Sequence, residues 1–126
     1  MLETYSLYNA IHTLSFVCQI VSPGVSADKE NKMNPLYSIL DKYNEDDLII
    51  VKLDIDTPNI ENPMAYQLLE DETIHKLVDH FYFEHHVDME EMTRVWTKRH
   101  VRGSTKDTFD LMNGLRQRGV ASHFWI

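Results

Sequence analysis

The stretch LIIVKLDIDTP, Leu48–Pro58, constrains the fold more than any other part of the chain. Its aliphatic, β-branched residues predict a strand over Leu48–Asp56, and the run ends at a proline. Apolar character is nearly continuous rather than alternating. That predicts burial on both faces, as in a parallel sheet covered by helices. Yet Lys52, Asp54 and Asp56 fall at every second position, so they share one face of the strand. Ligands of open α/β sheets bind beyond the carboxyl ends of the strands. Asp54 and Asp56 sit at that end.

The rest of the chain punctuates into units around this strand. Residues 4–21 fit both a helix (Leu7, Ile11, Leu14, Val17, Cys18) and, over LSFVCQIV, a strand. Residues 22–34 read as a loop around Pro23 and Gly24. Asn34-Pro35 supplies an N-cap and first helical position for a short helix over 35–43. A helical region follows at 59–77, with Met64, Leu68, Leu69, Ile74 and Leu77 inward. Pro63 predicts a kink there, with Asn62 capping a second start. VDHFYFEHHV (78–87) is a second, aromatic-rich strand. Asp88 opens a helix over 89–99. Ser104 and Asp107 form a capping-box-like pair for a further helix, whose core stripe is Phe109, Leu111, Met112 and Leu115. Gly119 stops that helix, and 120–126 is a terminal strand. The alternation predicts an α/β fold with a mostly parallel sheet of three to four strands and flanking helices.

Composition narrows the function. The chain has 126 residues and a formal net charge of -8, which argues against nucleic acid and anionic membranes as partners. One cysteine, Cys18, rules out an internal disulfide and favours a reducing, intracellular and cytoplasmic setting. The N-terminus lacks the basic start of a signal peptide, and no apolar run reaches the ~20 residues of a membrane span.

Glu84, His85 and His86 end the second strand, and adjacent strands would bring them opposite Asp54 and Asp56, about 4.8 Å away. Carboxylate oxygens and imidazole nitrogens at two strand tips can converge on a divalent metal. The bland readings are that Asp56 or Thr57 caps the next helix and that Lys52 neutralises Asp54 in a buried pair. One of Glu84, His85 and His86 must face away from the other two, as packing. His12, His75, His80, His100 and His123 have no paired spacing and read as structural or solvated. RVWTKRHVRGSTK (94–106) holds five of the twelve Lys and Arg residues, as a solvated helix end or an anion site.

Beyond these residues, DLIIVKLDIDTPNIE, a helix, VDHFYFEHHV and LMNGLRQRGVASHFWI together resemble the C-terminal half of FkbM-type methyltransferases, over about residues 34–126. The family's fourth strand typically ends K-x-D-x-E-G. Lys52 and Asp54 match its first two charged positions, Asp56 stands for the Glu and Thr57 for the Gly. Glu84 matches the acid of the fifth strand. The resemblance implies a Rossmann-like three-layer sandwich, with residues 1–33 as a separate N-terminal helical and loop segment. It implies S-adenosylmethionine as cofactor, with Lys52 and Asp54 bordering it. Asp54, Glu84 and His86 would be catalytic, orienting or deprotonating an acceptor hydroxyl. Where a metal takes part, Asp54, Asp56 and Glu84 would hold it.

The cofactor half of such enzymes carries a glycine-rich turn after the first strand. This chain has four glycines, none in a G-x-G turn, and too few residues precede Leu48 for three strand–helix units at ~30 residues each. The chain would then be a fragment, a shortened paralogue, or half of a site whose sheet a homo-oligomer or partner chain completes. The alternatives are a non-catalytic truncated domain serving protein assembly and, below it, a glycosyltransferase-like protein using D-x-D to hold a metal.

Overall fold

The structure, a computed structural model, describes residues 14–17, 24–88 and 102–125, the first four as backbone only. It is an α/β fold built on a small open parallel sheet with flanking helices. The elements run β1 (Leu14–Val17), α1 (Pro35–Leu40), β2 (Leu48–Leu53), α2 (Pro58–Glu70), α3 (Glu72–His75), β3 (His80–Phe83), α4 (Thr105–Gln117) and β4 (Ala121–Phe124). Strand order in space is β1-β2-β3-β4, every pair parallel. β1 resolves the ambiguity of residues 4–21 toward a strand at Leu14–Val17, and the sheet thus reaches across position 33. The expected helix over 89–99, Cys18, His12, His100 and residues 94–101 of the basic stretch lie outside the described residues.

Strand order that follows chain order means each crossover steps the same way. Right-handed crossovers then put the connecting helices among the described residues on the same face. The core agrees. Ile49, Val51, Leu53, Phe81 and Phe83 from alternate strand positions join Leu36, Ile39, Met64, Leu68, Leu111 and Leu115 from the helices in one buried cluster. This corrects the expected two-sided burial of β2. Its side chains alternate between buried and less buried positions, and Ile50 and Lys52 are only half-buried. The aliphatic run misled because Leu48 and Ile50 remain partly exposed on the second face.

Local chemistry sets the helix ends. The Asn34 side chain accepts from the Leu36 amide at 3.1 Å, while its amide group donates to Gln67 at 3.0 Å, which ties the start of α1 to α2. α2 runs unbroken through Pro63, without the expected second start at Asn62. The missing N–H would have paired with the carbonyl of exposed Asn59, early in the helix, where water can substitute. α4 has the expected capping box: the Ser104 amide donates to Asp107 at 2.7 Å, and the Asp107 amide donates to the Ser104 hydroxyl at 3.3 Å. Its end has Gly119 at φ +92°, and the Val120 amide returns to the Leu115 carbonyl at 3.1 Å. Phe109 departs from the expected core stripe. It is 52% exposed, edge-on to Phe124, and Thr108 takes the inward position instead.

Candidate functional site

On the face away from the helices, strand register lines up side chains in rows. Lys52, Tyr82 and His123 are aligned across β2, β3 and β4. One residue beyond the paired Leu53, Phe83 and Phe124 come Asp54, Glu84 and Trp125. Backbone bonds from Glu84 N–H to the Leu53 carbonyl (3.3 Å) and from Trp125 N–H to the Phe83 carbonyl (3.1 Å) carry the ladder that far. Side-chain alternation returns this second row to the same face as the first. The strand tips thus meet as the sequence predicts.

Asp54 is the hub of this row. Lys52 Nζ donates to its Oδ2 at 2.8 Å and lies 4.1 Å from the centre of the Trp125 ring. The Lys52 contact holds the Asp54 carboxyl below its ordinary value, and bonds from Glu84 and the Trp125 indole act the same way. Glu84 moves the other way. Burial pushes its carboxyl up, and its hydrogen bond to Asp54 adds to this. The two carboxyls are therefore shifted apart, Asp54 giving up its proton more readily than Glu84. The Lys52–Asp54 pair is half-exposed rather than buried, with side chains 28% and 20% accessible.

Past Asp54 the chain turns sharply, and Asp56 adopts φ +56°, a left-handed conformation that L-residues other than Asn and Asp seldom adopt. Glu61 shapes this turn from inside. Its carboxylate, 1% exposed, accepts from the Ile55 amide at 2.7 Å and the Thr57 amide at 2.9 Å. Burial raises its carboxyl above the ordinary value against those two bonds. Thr57 occupies the N-cap position of α2 without a side-chain capping bond, and its hydroxyl donates to the Ile55 carbonyl instead. Thr57 thus caps α2 through its backbone alone, its carbonyl accepting from the Ile60 and Glu61 amides, and Asp56 is not the cap.

The turn aims Asp56 at the end of β3. His86 Nε2 lies 3.8 Å from Asp56 Oδ1 and 3.4 Å from Glu84 Oε2. Ligand atoms of Asp56, Glu84 and His86 all lie within 4.8 Å of one another. His86 is 1% accessible and Asp56 58%, so the cluster has a buried floor and an exposed lip. Two imidazole or carboxylate donors on one zinc-like ion, with bonds of ~2.0–2.1 Å, stand about 3.0–3.4 Å apart. The His86–Glu84 edge already has that length, and an exposed Asp56 side chain can close the remainder. The donor set is one imidazole and two carboxylates, suited to a borderline divalent cation. It differs from the set Asp54, Asp56 and Glu84 expected from the sequence. Lys52 and Trp125 engage Asp54, and His86 stands in its place.

His85 faces the helices, as one of the three had to. Its ring stacks on Phe83 with centres 5.0 Å apart, Nδ1 lies 2.9 Å from the Thr108 hydroxyl, and burial holds its pKa down. Two participants had no signal in sequence spacing. Glu61 is read only once the Asp56 turn is seen, and Trp125 only once β4 is placed beside β3. No described helix is long and apolar enough to cross a membrane. No protein-family model, curated protein or solved structure matches the chain.

Proposed function

We propose that this chain is the acceptor-handling part of a methyltransferase-like domain, and that its own site is a cation-assisted acid–base pocket for a hydroxyl-bearing substrate. One observation carries the proposal: the Asp56, Glu84 and His86 donor atoms cluster within 4.8 Å beside the split Asp54–Glu84 pair. The consecutive parallel order also shares its single winding direction with one half of a Rossmann-like sheet, which has three such strands where this chain has four.

A divalent cation held by Asp56, Glu84 and His86 would lower the pKa of a bound hydroxyl. With the cation in place Glu84 would be an ionised ligand, and Asp54, kept ionised by Lys52, accepts the hydrogen bond or the proton of the acceptor hydroxyl. Lys52, pinned between Asp54 and the Trp125 face, holds the pair's charge in balance. Methyl transfer from S-adenosylmethionine needs an in-line approach of the acceptor oxygen, so these groups would act mainly by positioning. The donor would be bound jointly with a partner chain or an additional segment, since no glycine-rich turn follows a strand here.

A second reading, a non-catalytic assembly domain, draws on the strand order. It never reverses among the described strands, so they form no switch-point crevice. Calorimetry with Mn²⁺ and with S-adenosylmethionine separates the two. Stoichiometric Mn²⁺ binding that is lost in Asp56→Asn, with a pH-dependent gain in S-adenosylmethionine affinity, supports the enzyme reading. Absence of both at about 1 mM ligand favours the assembly domain.

A further inference from the structure

A second histidine pair lies farther down the same face of the sheet. His80 begins β3, four residues or about 13 Å before Glu84 along the strand, and His123 sits on β4. Register pairs His80 with Ala121 and Tyr82 with His123, so the two histidines are diagonal neighbours on one face. His80 Nδ1 and His123 Nε2 are 3.2 Å apart, with ring planes 10° from parallel. Tyr82 stacks on His123 with centres 4.6 Å apart and fixes that ring from one side. Both histidines are half-buried and so retain contact with solvent.

We propose that His80 and His123 form a two-imidazole clamp for a borderline divalent cation such as Zn²⁺, separate from the Asp56–Glu84–His86 cluster. Two nitrogens bound to one such ion at ~2.0–2.1 Å stand about 2.8–3.4 Å apart, for angles between the square and the tetrahedral values. The observed 3.2 Å lies inside that interval. A turn of the His80 ring about its broad second torsion brings the lone pairs from facing each other to converging on the ion. The N–H that now lies between the rings moves to the far nitrogen of its own ring. That is a tautomer change, and no net proton is lost. Neutral imidazole suits Zn²⁺, Cu²⁺ and Ni²⁺ and discriminates against Mg²⁺ and Ca²⁺, and water completes the coordination. The consequence is mechanical: an ion bridging adjacent strands ties β4, the edge strand among the described residues, to β3.

The full chain, labelled with ¹⁵N in its histidine rings, is titrated with Zn²⁺ and followed by long-range nitrogen–proton correlation. Joint shifts of His80 Nδ1 and His123 Nε2 near one equivalent, retained in Asp56→Asn and weakened at least tenfold in His123→Phe, are expected. Phe at 123 keeps the stack on Tyr82 and removes the ligand. Unmoved rings up to about 1 mM Zn²⁺, or undiminished affinity in His123→Phe, overturn the clamp, as does its loss in Asp56→Asn. Should His123→Phe fail to fold, the wild-type ring shifts decide. Failure of Mn²⁺ at the acid cluster leaves this result standing, because the two sites share no ligand.

Discussion

Replacing Asp56 by glycine should separate folding from function more cleanly than any other change. Asp56 is the one residue other than glycine with positive φ among the described residues, at +56°. A left-handed conformation costs an L-residue about 1–2 kcal/mol, and Asp lies at the low end because its short side chain bonds locally. Glycine removes that cost but adds about 0.5–1 kcal/mol of unfolded-chain freedom. Those terms nearly cancel. The Asp56 charge also opposes ionisation of buried Glu61, so its removal relieves repulsion. Urea denaturation of Asp56→Gly should therefore give unchanged stability or a gain of up to about 1 kcal/mol, which in a domain of this size is a melting shift of about 4 °C. Calorimetry on the same sample should show Mn²⁺ affinity down at least tenfold, about 1.4 kcal/mol. Asp56→Asn, which tolerates the same backbone, should lose the ion with the turn intact. The reasoning is refuted by a glycine variant that loses more than about 1 kcal/mol, because Asp56 would then serve the fold. It is refuted equally by an asparagine variant that binds Mn²⁺ as tightly as the wild type.

Other consequences are open to direct measurement. Glu61→Ala removes the acceptor of the part-buried Ile55 amide and of the amide of exposed Thr57, which water can reach, and denaturation should register a loss of about 1–3 kcal/mol, the cost of about one unpaired donor. The raised Glu84 carboxyl binds its proton more tightly in the folded chain, so stability should fall as pH rises from the ordinary glutamate value of 4.5 through the raised one. Glu84→Gln should flatten that decline in a pH series. The lowered Asp54 acts in the opposite sense, and its contribution should vanish as pH falls through its depressed value. Ser104→Ala breaks the α4 capping box and should cost about 1 kcal/mol by thermal or chemical melting. Gly114→Ala places a methyl 2.8 Å from Leu69 Cδ1, the free end of a half-buried side chain that can swing aside. Clash and helix propensity then offset each other, leaving stability within about 0.5 kcal/mol of wild type.

What residue order alone determined was local and periodic. The strand at Leu48–Leu53, the Asn34 and Ser104 caps, the Gly119 stop and the parallel α/β class all follow from side-chain alternation, capping chemistry and turn residues within a few positions of one another. The meeting of Asp54 and Asp56 with Glu84 and His86 followed too, because parallel neighbours put their carboxyl ends on one side. Tertiary structure decided which of these residues belong together. Lys52 and Trp125 claim Asp54, so His86 replaces it beside Asp56 and Glu84. The left-handed turn at Asp56 and the buried Glu61 that moulds it depend on where α2 returns against the sheet. The His80–His123 contact exists only through the register of two strands distant in sequence. Spacing along a chain reports a residue's own face, whereas the partner across that face is set by packing that no single segment encodes.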